Sequence, residues 1–287
     1  MSQAMTIARH GLPRRGGTAW AEGALAGLSD ALRAEWTKLR TVPGTGWILA
    51  ALCVLTVAVG AATEAATRCG AGTRCAVDPT KVSLTGIEVG QAVVAVLAVL
   101  LISGEYSTGM IRTTFTAMPR RCIVLAAKAA VLTGLVLPAA VVAVAGSLAA
   151  GRLILTGNGI TAAHGFAVVS LAYGPAVRAA TGAVVYLALV GLLSLGIATI
   201  VRDSAVATGA VLGMLYVPPI TALLLGGERT LQHWVERYAP TNAGMAIMTT
   251  TRVHSLVISP WAGLGVLAAW AAAALLTAGV LLRLRDA

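Results

Sequence analysis

The chain has 287 residues, of which 57% are hydrophobic and 11% charged, with a formal net charge of +10. A soluble domain carries about 25% charged residues, so this composition cannot furnish a water-facing surface and excludes a soluble globular enzyme. A mean hydropathy of +0.84, with about 20 apolar residues needed per crossing, leaves room for roughly six spans and modest loops. The basic residues sit beside apolar runs, which assigns them to a membrane surface rather than to nucleic acid.

In chain order, residues 1–43 hold Arg9, Arg14, Arg15, Arg33, Lys38 and Arg40 and no apolar core of signal-peptide length. Within them, at about 24–41, Leu25, Leu28, Leu32, Trp36 and Leu39 recur at steps of three and four, while Asp30, Arg33, Thr37 and Arg40 take other faces. This pattern predicts an amphipathic helix in the headgroup plane, anchored by Trp36, with its cations toward anionic lipid. Spans are predicted at about 45–66, 87–103, 122–149, 180–200, 205–225 and 261–282. All are helices, because lipid offers no partner for an unpaired backbone group, and no run alternates with the period of a barrel strand. The third run is long enough to tilt, or to bend at Pro138. Pro218 and Pro219 break the ladder of the fifth, as a static kink or as a hinge.

Six spans put both ends on one side. A cytoplasmic placement gathers the N-terminal cations with Arg112, Arg120, Arg121, Lys128, Arg202, Arg283 and Arg285 inside. The expected organisation is a cytoplasmic tail over 1–43, a six-helix transmembrane domain over 44–283 and a short tail over 284–287, in the plasma membrane. Cys69 and Cys75 share the first external loop, either as a short disulfide or as two free thiols. Cys53 and Cys122 read as packing residues.

The chemistry is defined mainly by what is missing. Gly104 and Gly109 have the glycine spacing of a phosphate loop, but Met110 stands where its lysine belongs, so the chain has no nucleotide site of its own. The four histidines (His10, His164, His233, His254) form no ligand pair at helical spacing, and no metal site is expected. Ser194 follows Leu192 and Leu193, not the glycine of a nucleophile elbow. Glu64 and Glu88 fall near the outer ends of the first two spans and Lys128 near the inner end of the third. The first expectation is that all three snorkel to the interface. The other is that Glu88 and Gln91 form the polar lining of a translocation path. No carboxylate or histidine stands near mid-membrane, which counts against ion-coupled carriage.

The loop after the second span, Ser103 to Arg121, mixes Met110, Ile111 and Phe115 with small hydroxyl residues and stops at Pro119 and a basic pair. A helical turn with one apolar face suits a groove on a soluble partner, against the plain alternative of an ordinary loop. Leu32-Arg33-Ala34-Glu35-Trp36-Thr37-Lys38-Leu39-Arg40 and Gly104-Glu105-Tyr106-Ser107-Thr108-Gly109-Met110-Ile111-Arg112 resemble segments of actinobacterial permeases of type-2 ATP-binding-cassette exporters. The order Glu105, Gly109, Pro119 matches that family's pattern past the second span, and Tyr238-Ala239-Pro240-Thr241-Asn242-Ala243-Gly244 matches in the last external loop. With the six spans, the resemblance covers nearly the whole chain.

The resemblance implies a permease half, paired with a second copy or a paralogue, that exports a substrate the sequence does not identify. Two copies of a separate cytoplasmic ATPase would drive it and hold the ATP and Mg, so this chain itself would need no cofactor and catalyse nothing. The coupling element falls at about 106–116, with Glu105 and Gly109 shaping its start, Tyr106, Met110, Ile111, Arg112 and Phe115 within it, and Pro119 closing it. The helix bearing Leu32, Arg33, Glu35, Trp36, Lys38 and Arg40 would also lie against the ATPase. A re-entrant external segment is implied between the last two spans, where Leu231, Trp234, Val235 and Tyr238 make a helical stripe and 245–257 would be the returning limb. Spans would pivot as rigid units, with Gly86-x-x-x-Gly90 and Gly209-x-x-x-Gly213 allowing close approach. Two readings from other classes are a polytopic intramembrane enzyme and a membrane scaffold or sensor that moves nothing.

Overall fold

The computed structural model describes residues 32–34, 36–37, 43–68, 77–107, 121–160, 174–224 and 229–284. Its helices are α1 (Pro43–Ala66), α2 (Pro79–Ser83), α3 (Ile87–Ser107), α4 (Arg121–Gly157), α5 (Gly174–Val201), α6 (Ser204–Leu224), α7 (Arg229–Tyr238), α8 (Pro240–Met245) and α9 (Pro260–Leu284). Among the described residues there is no strand. Six helical stretches are long and apolar enough to cross a membrane: α1, α2 with α3, α4, α5, α6 and α9. The chain is thus an all-helical, multi-pass membrane protein.

The spans reach further than their apolar cores. Helix α3 runs to Ser107, α4 to Gly157, and α5 starts at Gly174. The flanks mix good helix formers such as Glu105, Arg152, Leu153 and Leu155 with glycines that cost about 1 kcal/mol each, and the helix persists through them beyond the hydrophobic stretch. In α4 the stop comes only at Gly159, which has a left-handed φ of 83°. There Ile160 N–H bonds Leu155 C=O at 3.0 Å and Gly159 N–H bonds Thr156 C=O at 3.3 Å, the paired closure of a Schellman motif. At 37 residues, α4 is about 55 Å long, well over the roughly 30 Å of a hydrocarbon core. Pro138 lies inside it without ending it, and α6 likewise continues through Pro218 and Pro219.

Spans two and four make the centre, each with 56% of its apolar window buried, whereas the first and fifth have 17%. Helix α5 packs on α3, α4 and α9 through side chains such as Leu187, Val190, Leu193 and Leu195. Small residues bring the axes close: the Cα of Gly196 backs onto Ala274, and Gly86 onto the carbonyl of Thr56. Gly90 lies against Thr56 and Leu52, so the Gly86/Gly90 pair does seat α3 on α1. A Cβ on Gly209 or on Gly213 would meet no atom of the described residues within 4 Å.

Consecutive spans run antiparallel, which gathers α2, α7, α8 and the end of α4 at one face, called here the cap face. The opposite face carries the ends of α3 and α9, the start of α4 and the tight α5–α6 connection. In that connection Arg202 takes a left-handed φ of 64° and Asp203 caps α6 by accepting Val206 N–H at 2.8 Å.

Candidate functional site

At the opposite face the predicted docking loop begins as helix: Glu105 and Tyr106 belong to the last turn of α3. Gly109, Met110, Ile111, Arg112, Phe115 and Pro119 lie outside the described residues, as do Glu35, Lys38, Arg40, Cys69 and Cys75. Leu32, Arg33 and Trp36 are helical, and they line a depression of about 370 Å³ with Ala130, Val131 and Gly134 of α4. The amphipathic segment therefore lies against α4 some nine residues past that helix's start. Close by, Cys122 Sγ accepts Arg283 Nε–H at 3.2 Å and donates to Gly279 C=O at 3.9 Å. Cys122 and Cys53 are free thiols packed between helices.

Glu88 and Gln91 do not share one environment. Glu88 is exposed, and its backbone carbonyl accepts the Tyr216 hydroxyl of α6. Gln91 is 1% exposed, and its Oε1 accepts the Tyr186 hydroxyl of α5. Within one chain this closes Gln91 into the core, with Thr241 and Tyr216 beside the pair.

The same knot explains the motif from Tyr238 to Gly244. Pro240 occupies the first turn of α8. A Cβ on Gly244 would come within 2.7 Å of the Tyr186 ring, and the Ala243 carbonyl sits on Gly263 of α9. Tyr238 C=O accepts Trp270 Nε1–H at 3.0 Å. The motif seats a six-residue helix between α5 and α9. Ahead of it, Trp234 and Tyr238 of α7 stack at 4.8 Å and are both exposed, the placement of interfacial aromatics.

Residues 245–257, the expected returning limb, are helical only in short turns. Met245 ends α8, one 3-10 turn follows at Ala246–Met248, and the chain then runs irregularly through Thr249, Thr250 and Thr251 to a left-handed Arg252. β-Branched residues resist helix here, and hydrogen bonds hold the extended path instead. Asp78 Oδ2 accepts Thr250 N–H at 2.6 Å and Thr251 N–H at 2.9 Å, while Oδ1 accepts Thr250 Oγ1–H at 2.6 Å and Lys81 N–H at 3.2 Å. Arg178 Nη2–H donates to Thr249 C=O at 2.6 Å. One carboxylate thus caps α2 and clamps the strap before α9. Asp78-Pro79 is a helix-start signature legible in the sequence; the threonine partners 172 and 173 residues away are not.

The expectation that Glu64 and Lys128 snorkel is corrected. Glu64 is 0% and Lys128 1% exposed. A snorkelling side chain needs a free track along its helix to the interface, and these two project from faces of α1 and α4 that other helices cover. Glu88 alone of the three is exposed. A buried carboxyl therefore does exist within a span. Among the described residues no group of three His, Cys, Asp or Glu side chains is placed to hold a metal ion. Compared with known proteins, the chain matches no family, and no curated protein is significantly similar to it.

Proposed function

We propose that this chain is the permease subunit of an ATP-binding-cassette exporter, forming the membrane path for a substrate and lacking a motor of its own. The observation that carries the reading is the arrangement at the opposite face. Helices α3 and α4 emerge there on either side of residues 108–120, and the amphipathic segment, through Leu32, Arg33 and Trp36, leans on α4 some nine residues past its start. Those are the two segments whose sequences resemble ATPase-contacting parts of type-2 permeases, and they sit on six membrane-length helices. On this reading the opposite face is cytoplasmic, with both termini. The α7–α8 segment is the external re-entrant element, and a second permease copy completes the path in the plasma membrane.

The test replaces Ile111→Asp and Phe115→Asp together, or deletes residues 106–116, in the chain expressed with its phosphate-loop ATPase. Co-purification of the ATPase falls more than about tenfold, the loss expected for roughly 1.4 kcal/mol or more of docking energy, with helical content and melting temperature unchanged. Undiminished co-purification contradicts the proposal.

A further inference from the structure

Among the described residues Glu64 is the one acid with a fully buried side chain, and neither Oε1 nor Oε2 has a hydrogen-bond partner. It stands one turn past Gly60 on α1, where α1 meets α2 and α4. Its Oε1 lies beside Ser83 Oγ over Gly151 of α4, so close that a Cβ on Gly151 would come within 2.6 Å of it.

Among the described residues the nearest donors are committed, save Ser147 Oγ, which lies one turn back along α4 and has no partner. Ser83 Oγ–H bonds Pro79 C=O at 3.0 Å, and Thr63 Oγ1–H bonds Gly60 C=O at 2.7 Å. The two amide hydrogens of Asn158 go to the backbone carbonyls of Glu64 and Thr67, at 3.0 and 3.1 Å. Among the described residues counter-charges are equally absent. Lys81 beside α2's end, Arg152 on α4 and Arg68 past α1 are exposed, Asp78 is spent on Thr250 and Thr251, and Glu88 of α3 is exposed. Lys128 lies 23 residues before Gly151 on α4, about 35 Å along the helix.

Among the described residues an ionised carboxyl here has no hydrogen bond and no counter-ion, in surroundings where an isolated charge is strongly disfavoured. The neutral acid needs only one acceptor, and Ser83 Oγ, its hydrogen given away, keeps lone pairs for it. The contact with Gly151 leaves no space for a metal cation and its shell of about six oxygens. We propose that Glu64 is a proton-binding site: the α1–α2–α4 seam closes around the neutral acid and parts when the proton leaves, so that opening of the cap face releases one proton. The carboxylate so formed is hydrated as Gly60 moves off Ser83 and Ser147, and Gly151 off Ser83. This step goes beyond the transport reading and stands whether or not an ATPase docks.

Two measurements on the full chain in lipid nanodiscs test it. With ¹³C-labelled glutamate, the native infrared spectrum at neutral pH contains an isotope-shifted, non-ionised carboxyl band. Glu64→Gln removes the band, and Glu64→Asp replaces it with an unshifted one. Amide exchange over 60–66 and 147–157, divided by its intrinsic rate, speeds up by as much as about tenfold per pH unit in the native chain, as release of one proton requires, and stays flat in Glu64→Gln. A native spectrum without the band overturns the proposal, even if neither variant folds. So does the same pH response of exchange in native and Glu64→Gln protein.

Discussion

At the cap face, α2, α5 and the strap before α9 are tied by directional bonds: Asp78 to Thr250 and Thr251, Arg178 to Thr249, Asn158 to the end of α1. At the opposite face, α4 and α9 meet through the thiol of Cys122 and the guanidinium of Arg283, and between them lies an apolar trench of about 450 Å³. Buried hydrogen bonds to a carboxylate have one good geometry, whereas apolar packing tolerates sliding at small cost. The bundle is thus held by directional bonds at its cap face and by sliding apolar contacts at the opposite one. On the proposed function, a motor pulling where α3 and α4 emerge works on the yielding end, and the cap face stays clamped until the α1–α2–α4 seam parts.

The sharpest way to break the comparison is to crowd the tight end. Gly86→Val drives a side chain into the Thr56 carbonyl. It is expected to destabilise the fold by about 3 kcal/mol, the upper range for overpacking, read as a lowered melting temperature in nanodiscs. Gly213→Val, with no neighbour within 4 Å, is expected to stay within about 0.5 kcal/mol. Equal effects would mean that the two glycine pairs are not differently placed. Next in size is Asp78→Ala, which leaves three strap donors and the α2 cap unsatisfied. A loss of about 3 kcal/mol in unfolding free energy should come with faster amide exchange over 246–256. The matching change at the other end, Cys122→Ala, is expected to cost under about 1 kcal/mol, since the thiol is a weak donor and a weak acceptor. Smaller than Gly86→Val and Asp78→Ala is Tyr186→Phe, which loses the bond to Gln91 but keeps the ring against Gly244. About 1 kcal/mol is expected, and no measurable change would place the Gln91 pair outside the energetics of the core.

The contrast between the two ends also separates what could be read from sequence and what could not. Six spans were legible because each carries a long apolar run, and length with composition settles that question alone. Their ends were less so. Helix α4 stops at Gly159, whose role depends on bonds from Ile160 and Gly159 back to Leu155 and Thr156, and apolarity fades several residues earlier. The burial of Glu64 and Lys128 was illegible for a different reason. Whether a long side chain snorkels is decided by what the neighbouring helices place beside it, Gly151 and Ser83 in the case of Glu64, and no local pattern encodes that. The Tyr238–Gly244 motif was visible as a resemblance, while its work, seating α8 against Tyr186 and Gly263, needed three elements brought together. Asp78 was half visible: its cap is written next to it, its clamp on Thr250 is not.

The central claim, a membrane gate with its docking loop at the cytoplasmic face, is tested most directly by single-cysteine accessibility. In a chain whose Cys53, Cys69, Cys75 and Cys122 are replaced by alanine, Arg112→Cys and His254→Cys place one thiol in the predicted docking loop and one in the exposed strap before α9. With a membrane-impermeant maleimide on intact cells, the thiol at 254 should react and the thiol at 112 should react only after permeabilisation. Modification of the thiol at 112 in intact cells would put the loop on the outside, beyond reach of any cytoplasmic motor, and would contradict the account.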